Sequence, residues 1–159
     1  EVEFAPKRLT AYIDVSKQFL IQDSVSAEAL IRKNIVEAIS QKLEATILGD
    51  GAGSTKQPAG IFNGVTALKD NSYQTFAEML QKLEEANVYG DIKYIVSPAI
   101  KAQLKTTAKT EGAFVMEDNE VDGIPVLSTS ACKGIVLGNF ENYVIAQWGA
   151  IDLTIDPYS

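Results

Sequence analysis

The feature that most constrains the fold is one long helical pattern between Ala27 and Leu48. Apolar side chains recur every four residues along it, which predicts an amphipathic helix roughly 33 Å long at 1.5 Å per residue. Ser26 is predicted to cap its start, and Gly49 to end it in the left-handed conformation. We expect the apolar row to pack against the chain's own sheet, and a rod of this length suggests a scaffold more than a pocket. The row consists of Ile31, Ile35, Ile39, Leu43 and Ile47, widened by Leu30, Val36 and Leu48.

A strand pattern precedes this helix and a glycine-rich loop follows it. From Leu9 to Ser16, apolar and polar residues alternate, which predicts a half-buried strand. After the helix, the glycine-rich segment 49–56 leads into the closing segment 57–63, Gln-Pro-Ala-Gly-Ile-Phe-Asn. The first 63 residues therefore contain strand, helix and loop in that order.

This order carries a resemblance to a known family. The segments RLTAYIDVSKQFLIQDS and SAEALIRKNIVEAISQKLEATILGDGAGSTKQPAGIFN resemble the major capsid proteins of tailed bacteriophages, the Hong Kong 97 type. In that family a strand leads into the long spine helix of the peripheral domain, and a glycine-rich segment and a closing turn follow. Near the other end, VDGIPVLST and GIVLGNFENYVIAQWGAIDLTIDPYS resemble later strands of the family's axial domain. The resemblance covers most of Arg8 to Ser159 and contains no catalytic signature.

The resemblance implies an α+β phage capsid fold. It implies part of the peripheral domain, with the spine helix, over residues 1–63, and a mixed α/β axial domain over residues 64–159. The implied function is that of a structural subunit of an icosahedral phage or prophage head, which self-assembles as hexamers and pentamers around the genome. Such a subunit is not an enzyme, has no catalytic, cofactor or metal site, and belongs to the virion after assembly in the host cytoplasm.

Some members of the family crosslink a lysine to an asparagine of a neighbouring subunit with the help of a glutamate. No position of this sequence can be assigned to any of the three, and we expect the lysine before Glu1 and the asparagine after Ser159. Because the sequence does not start with methionine, we expect a cut or processed piece. The resemblance implies that this piece lacks the family's N-terminal arm, extended loop and return segment. Such a piece is expected to form monomers or small oligomers in dilute solution.

Composition excludes several classes of site. The chain has no histidine, so Ser–His–Asp and Cys–His catalysis within it are excluded. Cys132, the only cysteine, cannot form an intrachain disulfide and is predicted to be a small buried apolar residue. The 14 basic and 21 acidic residues give a net charge of −7, which argues against specific nucleic-acid binding. No apolar run approaches the ~20 residues of a membrane span.

The remainder of the chain predicts interspersed helices and strands after a hinge at residues 64–72. A capping box at residues 75–78 is predicted to start a helix that ends near Tyr89 and Gly90. A second helix is predicted to start at Ser97-Pro98 and continue to Lys105, with Ile100 and Leu104 facing inward. Residues 106–112 are predicted to be polar and mobile. The predicted strands are 92–96, 114–116, 124–127, 134–137, 143–147 and 151–155.

Two segments tempt a ligand-binding interpretation. Segment 49–56 is glycine-rich, but its lysine follows the threonine and the loop comes after a helix, so a helix terminator and flexible loop are favoured over a phosphate cradle. Segment 117–123 spaces Asp118, Glu120 and Asp122 like the start of a calcium loop. Because Thr129 stands where a bidentate glutamate is needed and Pro125 interrupts the loop, a solvated hairpin turn is favoured.

Charged pairs on the long helix and aromatic residues near the end of the chain each allow a structural and a functional interpretation. The pairs Glu28–Arg32 and Lys33–Glu37 are predicted to support the helix surface. Phe140, Tyr143 and Trp148 could form a binding face, although core packing of the last strands is favoured. Two functions from other classes stay open beside the capsid subunit: a small α+β ligand- or protein-binding module, and an enzyme that uses carboxylates alone.

Overall fold

The computed structural model describes residues 5–14, 16, 24–66, 68, 70 and 72–149. Its first regular element is a 24-residue helix, α1 (Ser24–Ile47), roughly 36 Å long at 1.5 Å per residue. The predicted long helix is confirmed, but it begins before Ser26, so the predicted cap position lies inside the first turn. Ala27 in its first turn is buried, and so is Leu48, directly after its last residue.

The C-terminal end of α1 is closed by backbone contacts. The amide of Ile61 donates to the Ile47 carbonyl at 2.8 Å, and that of Phe62 donates to the Gly49 carbonyl at 3.1 Å. These bonds satisfy carbonyls that a helix end leaves without partners. Gly49 follows the helix as predicted, but the left-handed conformation predicted for it is wrong. Its role is close approach, because a Cβ there would lie 2.6 Å from the Ala45 carbonyl oxygen.

The predicted strand before α1 is wrong for the described residues 5–14 and 16, which contain no strand. Leu9 and Ile13 are exposed, and Tyr12 is 91% exposed. An alternating pattern becomes a strand only where a second strand supplies the ladder of hydrogen bonds. No described strand pairs with this segment, so the pattern has no partner to fix it.

The second half of the described chain forms a small α+β lobe, which confirms the predicted fold class. Its elements are α2 (Tyr73–Glu85), β1 (Ile92–Val96), α3 (Pro98–Leu104), β2 (Ala108–Thr110), β3 (Ala113–Phe114), β4 (Glu120–Val121), β5 (Ile124–Ser128), β6 (Ile135–Asn139) and a 3-10 turn (Phe140–Asn142). One sheet has the order β4-β5-β1-β6, with β1 parallel to β5 and antiparallel to β6. β2 and β3 form a separate antiparallel ribbon.

The core lies between one face of this sheet and the two short helices. Tyr94 and Val96 point to that face from β1, beside Val126 of β5. The Phe76 ring of α2 meets the Tyr94 ring edge-on at 5.7 Å between centroids. Fully burying a large apolar side chain contributes about 1.5–3 kcal/mol, so this cluster is the main source of stability. Its members are Phe76, Tyr94, Val96, Leu104, Val115, Met116, Val121 and Val126.

No described side chain of α1 belongs to that cluster, so the prediction that its apolar row packs on the chain's own sheet is wrong. Ile31, Ile35, Ile39 and Ile47 are half-buried, whereas Leu30, Val36 and Leu43 are exposed. The core face of the sheet is packed instead by side chains of α2 and α3, among them Phe76 and Leu104.

The helices of the lobe confirm one predicted start and correct the other. α3 begins as predicted, since the Ser97 hydroxyl accepts from the Ile100 amide at 3.3 Å. Leu104 is fully buried and Ile100 packs against the core, as predicted. The capping box at 75–78 is wrong, because α2 begins at Tyr73 and places Thr75 in its first turn. There the Asp70 carboxylate accepts from the Thr75 hydroxyl at 2.8 Å. α2 also ends earlier than predicted, at Glu85.

The strand predictions succeed where a strand has a neighbour. β1, β5 and β6 confirm the predicted strands near 92–96, 124–127 and 134–137. The strand predicted over 114–116 shrinks to β3, and the segment predicted to be mobile, 106–112, contributes β2. The strand predicted over 143–147 is wrong because no ladder forms there. The strand predicted over 151–155 lies outside the described residues.

Candidate interaction surface

The glycine-rich loop after α1 is a closed turn rather than a phosphate cradle. The Ser54 hydroxyl accepts from the amides of Lys56 and Gln57 at 3.1 and 3.2 Å. The Ser54 amide in turn donates to the Gln57 carbonyl at 2.8 Å. An anion site of this type needs amides that are free to point at the ligand. These amides are bonded within the loop, which agrees with the favoured interpretation of a helix terminator.

The loop is fixed by its neighbours on two sides. The ammonium of Lys7 donates to the Ser54 carbonyl at 2.9 Å, so the segment before α1 contacts the loop. The Phe62 ring lies against Gly134, where a Cβ would come within 2.9 Å of the ring. Gly134 precedes β6 directly, so this contact joins the closing turn to the lobe. The loop therefore links the end of α1 to the sheet.

The acidic segment 117–123 folds as two consecutive tight turns. Asp118 and Asn119 have φ values of 49° and 64°, and they connect the bridged residues Glu117 and Glu120. Asp122 and Gly123, with φ values of 51° and 78°, connect β4 to β5. Positive φ at both central positions is the signature of a type I′ hairpin turn. The favoured interpretation of this segment as a hairpin turn is confirmed.

The same geometry does not suit a calcium loop. Pro125 pairs with Glu120 in the β4–β5 ladder, and the Thr129 amide donates to the Val96 carbonyl at 3.1 Å. The later positions of a calcium loop would have to wrap around the ion, but here they run along a strand. Among the described residues, no group of acidic or cysteine side chains is placed to hold a metal ion.

Asp122 belongs to a cluster that sequence reasoning missed. The Lys109 ammonium donates to Asp122 Oδ1 at 2.5 Å and lies 4.2 Å from the centroid of the Tyr73 ring. The hydrogen bonds of Lys109 to Asp122, and secondly to Tyr73, raise the pKa of the lysine. Burial, followed by the nearby Asp122 charge, raises the pKa of Tyr94 to about 12. The Asp-Gly dipeptide was a readable turn signal, but nothing in the sequence spacing pairs it with Lys109.

Cys132 behaves as predicted. It is buried, and its Sγ lies 3.2 Å from the Gly134 carbonyl oxygen. Burial raises the pKa of the thiol, which keeps it protonated at neutral pH. The predicted helix pairs also form: Arg32 lies 2.7 Å from Glu28, and Lys33 lies 3.8 Å from Glu37. Both pairs are exposed and support the helix surface.

A cavity in the described part of the chain is shallow and open. It has a volume of about 430 Å³ and lies beside the start of α2 and the end of α3. The Gln103 carbonyl in its wall accepts from the hydroxyls of Thr106 and Thr107 at 2.9 Å. The Asp70 carboxylate accepts from the Ser72 amide at 2.9 Å. Because these polar groups bond to one another, they do not converge on a ligand.

Exposed apolar side chains concentrate outside the lobe. The aromatic residues predicted to pack in the core do not: Tyr143 is 47% and Trp148 is 55% exposed, and Phe140 is half-buried. The core role is wrong for Tyr143 and Trp148 because the strand that would have carried them inward does not form. Exposed apolar side chains in such numbers are candidates for contact surfaces. We call the exposed apolar residues of the described terminal segments and α1 the outer apolar set: Leu9, Tyr12, Ile13, Leu30, Val36, Leu43, Tyr143, Val144, Ile145 and Trp148.

The arrangement defines a class before it defines a family. A small α+β lobe with its own core is joined to a long helix on which Leu30, Val36 and Leu43 are exposed. No helix in the described ranges is long and apolar enough to cross a membrane. The chain belongs to the phage capsid family, whose model matches residues 1–159.

A curated relative points the same way. The chain is 24% identical over 165 residues to a major capsid protein of Halomonas phage phiHAP-1. The match covers 98% of this chain but 27% of that relative, so the chain spans about a quarter of the relative's length. The resemblance seen in the sequence is thereby confirmed at the level of the family.

Proposed function

We propose that this chain is part of a structural subunit of a phage or prophage head. The observation that carries the proposal is the outer apolar set on a chain that the capsid family matches from end to end. In an isolated molecule those side chains face water, whereas contacts between copies would bury them. Burial of apolar surface is the main favourable contribution to association.

The proposed assembly is an icosahedral shell of hexamers and pentamers around the genome. Support comes from the family and from the relative's name, major capsid protein. A division into a partial peripheral domain (1–63) and an axial domain (64–159) is part of the proposal. The Phe62–Gly134 contact lies at that boundary and would hold the two parts in one orientation. The subunit would reside in the virion after assembly in the host cytoplasm.

The proposed role is non-enzymatic, without cofactor and without specific nucleic-acid contacts. Support comes from the absence of histidine and the net charge of −7, and from the closed geometry of the glycine-rich loop. A subunit with a net negative charge would repel phosphates, so the genome would be enclosed without being bound.

The experiment places two substitutions in the full protein that contains this chain. Val36→Asp and Leu43→Asp each put a carboxylate into the outer apolar set. We expect both variants to fold, as judged by unchanged circular dichroism, and to form no closed particles in negative-stain electron microscopy. Exposed Glu37→Gln is the matched surface control and should assemble like the unaltered protein. Normal particles from both aspartate variants would contradict the proposal that this surface joins subunits.

A further inference from the structure

The β2–β3 ribbon contacts the lobe through a charged side chain, whereas the strands of the main sheet pack through apolar ones. Its side chains at Ala108, Thr110 and Phe114 are exposed, whereas Lys109 between them is half-buried. The ribbon therefore directs a charged side chain inward where a strand of the main sheet directs a valine or a tyrosine. A two-stranded ribbon is at most marginally stable by itself, so its attachment to the lobe decides whether it stays ordered.

Lys109 lies on the inward side of β2 by ordinary strand alternation, and the ladder is irregular at the same place. Ala108 pairs with Phe114 and Thr110 pairs with Ala113, so the register shifts at Lys109. An extra residue of this kind is a β-bulge, which redirects a side chain and increases the local twist. From this position the lysine reaches the β4–β5 turn.

The partners of Lys109 belong to two other elements. Its ammonium contacts Asp122 in the turn between β4 and β5, and it lies over the Tyr73 ring at the start of α2. The side chains of Lys109 and Asp122 are 33% and 30% exposed, so solvent reaches the pair only in part. One ammonium thus ties the ribbon, the hairpin and α2 together.

The base of the ribbon is anchored independently. The Val115 amide donates to the Thr107 carbonyl at 2.9 Å, and the Met116 amide donates to the Leu104 carbonyl at 3.3 Å. Val115 and Met116 are buried in the core. The tip at 111–112 is exposed. The ribbon is therefore fixed at its root by apolar packing and backbone hydrogen bonds, and the Phe114 amide there also donates to Glu117 Oε1 at 3.3 Å. Its middle is fixed by the charged Lys109 contact.

We propose that the β2–β3 ribbon is a releasable strap that Lys109 docks onto Asp122 and Tyr73. With the contact formed, the strap lies on the lobe; with it broken, the strap swings about its root at Thr107 and Val115 while the core stays intact. Because the contact is electrostatic, salt weakens it, whereas the apolar core is not weakened in that way. A strap of this kind lets one folded subunit present two different surfaces at the ribbon's end of the lobe.

The test is amide hydrogen exchange on the 159-residue chain, read separately for the ribbon and for β1. Lys109→Met keeps an unbranched side chain and removes the charge, and Asp122→Asn keeps a residue suited to the positive φ of that turn. Each variant should speed exchange in residues 108–114 about five- to tenfold and leave β1 unchanged. The double variant should add little to either one. High salt should speed amide exchange in the ribbon of the unaltered chain. It should have no such effect on exchange in Lys109→Met.

Lys105→Met is the matched control, because Lys105 is an exposed lysine before the ribbon. It should leave exchange in the ribbon unchanged. Two results would overturn the strap. One is equal exchange in Lys109→Met and Lys105→Met. The other is faster exchange in β1 together with the ribbon, which would make Lys109 part of the global fold.

Discussion

The lobe buries many of its apolar side chains completely, whereas several on the long helix α1 are exposed. In the lobe, Val96 and Leu104 are completely buried and every central strand has a partner. Along α1, Leu30 and Val36 are each 48% exposed. The comparison teaches that apolar content alone does not say where a core forms. The lobe satisfies its apolar surface internally, whereas α1 and the terminal segments retain surface suited to contacts with other molecules.

The largest expected effect is a difference in stability between leucine-to-alanine substitutions in the lobe and in α1. Leu104→Ala removes a fully buried side chain and should lower the free energy of unfolding by about 2–5 kcal/mol through lost burial and a cavity. Leu43→Ala, at a position 38% exposed on α1, should cost less than about 1 kcal/mol. Urea unfolding of both variants measures the difference. Equal losses would place Leu43 in the same core as Leu104 and break the comparison.

Alkaline pH should act on the lobe. Burial raises the pKa of Tyr94 from its ordinary value of 10.0 to about 12, so the folded chain holds this proton more tightly than the unfolded chain. The contribution of Tyr94 to the free energy of unfolding is fully present below pH 10. It is lost as the pH rises toward 12, by roughly 3 kcal/mol in all. The raised pKa of Lys109 acts in the same direction. Denaturant unfolding between pH 10 and 12 measures how steeply the free energy of unfolding falls with pH. Tyr94→Phe should make this fall less steep. An unchanged slope in that variant would refute the assignment.

The closing turn after α1 joins the two regions, and a methyl group there should separate them. A Cβ at Gly60 would collide with the Gly49 carbonyl oxygen, so Gly60→Ala should cost about 1–3 kcal/mol. Gly138→Ala is the control, because a Cβ at that position meets open space. Thermal unfolding and exchange at the Ile61 and Phe62 amides report the effect. If Gly60→Ala matches the control, the closing turn does not depend on close backbone approach.

The smallest effect lies on the surface of α1. Glu28 and Arg32 form an exposed pair, and a double-mutant cycle with Glu28→Gln and Arg32→Gln should give a coupling of about 0.3–0.5 kcal/mol. Added salt should reduce it. A coupling well above this range would mean that the pair is shielded from water, contrary to its exposure.

Local patterns predicted the elements whose partners lie close by. β1, β5, β6 and α3 were predicted nearly to the residue, because apolar runs and the Ser97-Pro98 cap are local signals. The strand over Leu9–Ser16 and the strand over 143–147 failed, since each requires a partner strand that the sequence pattern does not identify. The Lys109–Asp122 contact failed for a related reason. Lys109 lies on the ribbon and Asp122 lies in a turn between two other strands, and the sequence pattern does not show that these elements meet.

One measurement compares the stability of the buried core with that of α1. The core residues concerned are Tyr94, Val96 and Leu104. Amide hydrogen exchange on the 159-residue chain reports the opening free energy of both regions under the same conditions. The account predicts that the amides of β1 and α3 exchange only by global unfolding, while amides in the middle of α1 exchange about 100-fold faster by local opening. Equal protection in α1 and β1 would show that the helix shares the core of the lobe, and it would contradict the assignment of its apolar side chains to contacts between molecules.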